Sequence, residues 1–270
     1  MTMAHATDPS GFSEFCAQMA PEMGATGWYF HKAGNGPFDR FQVLGERGCG
    51  TNIIRKTVQD ALTIKRTEAL GWKHAVPAMI ALPPGFLTVC AVRAPDKWAH
   101  SLYKRPWHAT AEVQSRSFAD FLRAPWDSYV DKLGHFDGIA PRLHPLGHTL
   151  QWDRHPITGA PYENIFAMRN LKHRALMSLP ARGGSVAYVS LDAFNADPQG
   201  FLKDLSTHFG LSPTKQGYSP VERRMGNRWT PEVADRAPAP DVWNDKDTAW
   251  MHSQLDARIE AALGFHSPAA

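Results

Sequence analysis

The sequence predicts an α/β fold, a central parallel sheet flanked by helices, on three observations. Short apolar runs open into Gly- or Pro-marked turns that lead into helical spacing, and this unit recurs along the chain. Leu87–Val92 reads as a clear strand, and Val186–Leu191 is apolar but for Ser190, as suits a parallel strand buried on both faces. The chain has 270 residues, 43% of them hydrophobic and nine of them tryptophan, enough to fill one large core. Residues 1–270 are therefore expected to form a single domain, with residues 1–36 as an N-terminal extension.

In that extension Phe12, Phe15, Cys16 and Met19 share one face of a short amphipathic helix, and irregular Gly/Pro-rich chain follows. Phe41, Val43 and Leu44 form the first strand. It enters the glycine-dense loop Gly45-Glu46-Arg47-Gly48-Cys49-Gly50-Thr51-Asn52, from which Ile53, Ile54, Thr57 and Val58 emerge at helical spacing. Strand, glycine turn and helix start together make an anion site: the first helical amides lack internal partners, and glycines let them approach a phosphate. The loop nearly matches G-x-x-x-x-G-K-[ST], but Thr51 stands where the lysine should be. Phosphate can still be cradled, whereas triphosphate hydrolysis is disfavoured. The architecture is accordingly P-loop-like, with three layers.

Pro83-Pro84-Gly85 announces the second strand, Leu87–Val92. It ends in Arg93-Ala94-Pro95-Asp96, and Pro95 starts a helix through Tyr103. Helical patterns follow near 115–133 and 162–178, separated by a Pro/Gly/His-rich loop, 134–161, long enough to cover an acceptor. The strand Val186–Leu191 leads to a helix from Asp197 to Phe209, closed by Gly210. Residues 212–244 have little periodicity, and a last helix spans 247–263. Right-handed crossovers would place ligands at the carboxyl ends of the strands, where Arg47 and Arg93 both lie.

A net charge of +3 with no block of like charges gives no case for nucleic acid. Thirteen histidines are scattered without metal-ligand spacing, so no metal is expected. Three cysteines, Cys16, Cys49 and Cys90, make no disulfide framework and fit a reducing compartment. No signal-peptide pattern opens the chain and no run of eighteen apolar residues occurs, so a cytoplasmic location is expected.

Three segments resemble the sulfotransferases that use 3′-phosphoadenosine 5′-phosphosulfate (PAPS), of the type common in bacteria. Gly48-Cys49-Gly50-Thr51-Asn52 is similar to that family's 5′-phosphosulfate loop. Arg93 followed by Ser101 across a strand-to-helix turn resembles its 3′-phosphate site, the more specific marker. Val186 to Leu211 resembles its late strand, acidic turn and proline-started helix, and Leu255 to Phe265 its terminal helix. The likeness runs from about residue 40 to the end, loosely in the middle. It departs from the pattern at Gly48, where the family has lysine, at Cys49, usually a hydroxyl residue, and at Ile53, often an adenine-stacking aromatic ring. Leu191-Asp192 also replaces a Tyr-Glu-Asp run.

The resemblance implies transfer of a sulfuryl group from PAPS to a hydroxyl or amine of a small-molecule, lipid or glycan acceptor, leaving PAP. Arg47 is then expected to supply the missing loop charge. His74 in Trp72-Lys73-His74 is the expected base, the only histidine between residues 32 and 99, with Lys73 as helper and Glu68 in reserve. A backbone-capping role for His74 weighs equally. Arg223-Arg224-Met225-Gly226 resembles a late basic loop, giving Arg224 a 3′-phosphate role; a solvated charge cluster is as good a reading. Trp72, Trp98, Trp107 and Trp229 are candidate pocket walls or core, and His108, His144, His148 and His155 read as exposed loop residues. Two other functions stay open: a nucleotide phosphotransferase, and a binding protein of this fold without transfer activity.

Overall fold

A computed structural model of the chain describes residues 11–136, 144–221, 225 and 227–265. Five strands form one sheet in the order β1-β5-β4-β2-β3. They are β1 (Trp28–His31), β2 (Arg40–Gly45), β3 (Lys65–Arg66), β4 (Phe86–Val92) and β5 (Ser185–Ser190). β2 pairs in parallel with both β3 and β4, and β4 with β5, while β1 runs antiparallel to β5 at the edge. The α/β class expected from the sequence is thus observed, with a mixed rather than wholly parallel sheet. The antiparallel strand lies inside the segment expected to be irregular. Trp28-Tyr29-Phe30-His31 is only four residues long, and its pairing with Val186–Val189 lies far along the chain.

Side-chain alternation separates the two faces of the sheet. Leu87, Val89 and Ala91 of β4 point into one cluster with the helices α2 (Thr51–Ala61), α3 (Pro95–Lys104), α5 (Phe118–Arg123) and α8 (Pro198–Phe209). Cys90 and Val92 point into the other, with α1 (Phe12–Thr26) and α10 (Ala257–Ala262). The long helix α6 (Ile165–Met177) serves both: Ile165, Phe166 and Met168 join the first cluster, Leu176 and Met177 the second.

Two expected helices are broken. Within the pattern at 115–133 the α-helix is the short α5, capped by Ser117, and a separate turn of helix, α4 (Ala111–Gln114), capped by Thr110, precedes it. Beyond α5, Pro125 cannot continue the helix, and Trp126, Ser128 and Tyr129 form isolated β-bridges instead. The C-terminal helix divides into α9 (Asp245–Gln254) and α10, because the Asp256 side chain accepts the amides of Arg258 and Ile259 and starts a new helix. A further short helix, α7 (Leu191–Ala196), follows β5 directly.

β2 and β4 lie side by side, with Gly45 opposite Ala91 at their carboxyl ends. The chain leaves β2 toward β3 on one side and leaves β4 toward β5 on the other. This divergence opens a crevice at the strand ends, the place where open α/β sheets hold ligands.

Candidate functional site

A cavity of about 760 Å³ occupies that crevice. Its lining includes the basic residues Arg47, Arg55, Lys73, Arg93 and Arg105, and no carboxylate residue among the described residues. A cavity with this lining favours an anion.

Its floor is the loop after β2. Gly50 takes φ 78° and caps α2, whose first turn carries no acidic residue. The amides of that turn therefore face the cavity end with the positive pole of the helix behind them. A Cβ at Gly50 would stand 2.3 Å from Leu191 Cδ1. Gly50→Ala should accordingly lower stability by about 1–2 kcal/mol, the cost of left-handed backbone for an L-residue, measured by urea unfolding. Gly48 approaches α3 so closely that a Cβ there would lie 2.9 Å from Ser101 Oγ. Arg93 Nη1 donates to the Gly48 carbonyl at 3.1 Å, and Trp98 Nε1 donates to that of Arg47, also at 3.1 Å. The loop and the Arg93–Ser101 pair, 45 residues apart, thus meet in one wall. A second, smaller hollow of about 290 Å³ continues from Arg93 and Ser101 along α3, past Lys97, Lys104 and Arg105.

The Trp72-Lys73-His74 segment closes the side nearest β2. Gly45 binds it twice: its amide donates to Lys73 O at 2.9 Å, and its carbonyl is 2.6 Å from His74 Nδ1. A carbonyl only accepts, so Nδ1 carries the proton and Nε2 keeps its lone pair. Burial holds the His74 imidazolium well below the usual range, and the charges of Lys73 and Arg47 push the same way. Half-buried in the cavity wall, His74 is a neutral imidazole in the tautomer a base requires. The capping contact and the base role are therefore compatible. Lys73 Nζ donates to Asn52 Oδ1 at 2.6 Å, which sets an ammonium against the first turn of α2. Glu68 instead faces Arg66 and Arg55 and is absent from the described cavity wall.

Two of the expected loop residues have buried side chains. Arg47 borders the cavity, but its guanidinium turns inward, buried against Asp153 and over the Trp72 ring at 4.9 Å. Lys172 Nζ shares the same carboxylate at 2.9 Å. Breaking such a buried pair would leave a charge uncompensated, and the Arg47 guanidinium is engaged by Asp153 rather than turned to the open cavity. Cys49 is fully buried, burial pushes its thiol up, and it is absent from the described cavity wall. Gly48, Gly50, Thr51 and Asn52 all line the cavity. Arg223, Arg224 and Gly226 lie outside the described residues, although Val221, Met225 and Asn227 border the cavity.

Of the tryptophans, Trp72 and Trp107 line the cavity, Trp98 is core, and Trp229 packs against Arg236. His148 is exposed and His155 half-buried, whereas His108 and His144 are buried. Sequence reasoning missed Arg55, Arg105, His108 and His135 as wall residues. Arg105 had a legible signal, four residues after Ser101 at the end of one helix. The two histidines had none.

Comparison with known proteins returned no matching family model, no matching curated protein and no matching solved structure. Among the described residues no helix is long and apolar enough to cross a membrane.

Proposed function

We propose that the chain is a sulfotransferase that takes the sulfuryl group from PAPS. One observation carries this reading: the phosphate-type loop at Gly48–Asn52 and the Arg93–Ser101 pair share a single carboxylate-free cavity wall. Two anion-binding positions at one crevice suit a nucleotide phosphorylated at both ends of its ribose. Loop amides and Lys73 would hold the 5′ end, and Arg93 with Ser101 the 3′ phosphate. Lys73, rather than Arg47, then supplies the charge that the loop lacks at Gly48.

PAPS, when bound, provides the sulfuryl group, and the protein's task is to position it and neutralise charge. His74 Nε2 would accept the proton of the acceptor hydroxyl or amine as its oxygen or nitrogen attacks sulfur. The cations at the α2 start would meet the charge building on the departing phosphate oxygen.

Calorimetry tests the reading. PAP should bind more tightly than ATP, and Arg93→Ala should weaken PAP roughly 10- to 100-fold, the worth of a charged hydrogen bond. Labelled PAPS with a panel of hydroxyl and amine acceptors then tests transfer. Absence of PAP binding at millimolar concentration would remove the proposal.

A further inference from the structure

We infer that His108, Asp131 and His135 form a binding site for one divalent transition-metal ion at the edge of this cavity, where the two histidines border it and Asp131 stands behind them. One ligand atom from each residue lies within 4.8 Å of the other two. Both Nδ1 atoms converge on the same oxygen: His108 Nδ1 is 2.8 Å and His135 Nδ1 3.2 Å from Asp131 Oδ1. The two rings approach from different sides, with centroids 5.3 Å apart and planes at 58°.

The backbone builds this convergence from separate segments. A bridge joins Ala109 to Ser128, and the Tyr129 amide donates to His108 O at 2.8 Å, which sets residue 108 beside the start of the next segment. Asp131 and His135 then face each other across the turn at Leu133–His135. His108 takes φ 68°, the one positive φ among described non-glycine residues. That is a conformation the surrounding structure must impose.

Two imidazoles and a carboxylate match the donor preferences of zinc and cobalt. Three protein ligands leave at least one coordination position, and His108 and His135 both border the cavity, so a water or a ligand oxygen there could complete the set. A carboxylate oxygen only accepts, so without metal each Nδ1 carries the proton toward Asp131. Binding a metal through Nδ1 would shift that proton to Nε2 of the same ring, so a neutral imidazole releases none. Phe136 lies 4.9 Å from His108, and Trp107 5.4 Å from His135, and these rings restrict imidazole rotation. The ligands sit at positions 108, 131 and 135, a spacing with no local metal signature. The inference is independent of nucleotide binding.

Untagged, metal-free, full-length protein should be titrated with Co²⁺ by absorption and with Zn²⁺ by calorimetry. One equivalent is expected to bind at micromolar concentration or tighter, with visible bands of four- or five-coordinate Co²⁺. Asp131→Asn and His135→Gln should each weaken that binding at least tenfold. In the wild type, Co²⁺ should shift and broaden the ring resonances of His108 and His135, which reads the site without a variant. Absence of one-equivalent binding, unchanged affinity in both variants, or broadening confined to other histidines would overturn the site.

Discussion

Replacing Asp153 with asparagine is expected to lower the stability of the fold by about 3–5 kcal/mol, the usual result of stripping one partner from a buried ion pair. The midpoint of thermal unfolding should fall by on the order of 10 °C. Asp153 is almost wholly buried and satisfies four groups at once. It pairs with Arg47 and with Lys172 at 2.9 Å, and accepts from Trp126 Nε1 and Ser128 Oγ at 3.0 Å each. Asparagine fills the same volume and can still accept from the indole and the hydroxyl, yet it leaves two buried cations uncompensated. The pH dependence follows. Burial alone would raise the Asp153 carboxyl, but Arg47 and Lys172 outweigh it and hold the carboxyl well below the usual range. A carboxylate depressed on folding stabilises the protein fully above its unfolded value of about 3.9, and that contribution declines as pH falls below it. Urea unfolding between pH 7 and pH 3 should therefore show a steeper acid loss in the wild type than in Asp153→Asn. Equal acid limbs would mean that the carboxylate is not charged in the folded protein.

The second large effect belongs to His74. On the proposed reading, His74→Ala should retain PAP binding within a few-fold while transfer drops roughly 10²- to 10⁴-fold, the span of general-base contributions. A rate profile would report the same group. Burial, Lys73 and Arg47 depress the imidazolium, so the acid limb of turnover should lie below the unperturbed value of about 6.5. Lys73→Met removes one of those positive neighbours and should move the limb upward, toward that value. Ring-proton NMR of His74 against pH would check the shift without turnover. Full activity in His74→Ala would take the base role away from it.

The parts of the fold legible in the sequence are those whose cause is local. β2, its glycine loop and α2 carry their own punctuation, and so do β4, Arg93 and the Pro95-started α3, so the crevice between them was readable in advance. β1 was not, because four aromatic-rich residues declare a strand only against the partner β5. The single long helices expected near 115–133 and 247–263 failed at Pro125 and Asp256, where a turn residue overrides apolar spacing. The direction of Arg47 was invisible for a different reason: its counter-ion lies 106 residues further on. For the same reason His108 read as an exposed loop residue, since Asp131 and His135 reach it only once the intervening bridges form.

The charges behind the glycine loop have a consequence for how the cavity can be lost. Glu46 sits beside Arg169 and His173, Arg169 binds Glu260, and Arg47 binds Asp153 together with Lys172. Groups from the second strand's end, the middle loop, α6 and the last helix are thereby tied into one dry knot beneath a surface loop. Freeing a glycine-rich turn held this way is costly, because it would leave buried charges without their partners. Denaturation should erase the crevice and the sheet in the same cooperative event, and a ligand arriving there meets a shape that already exists.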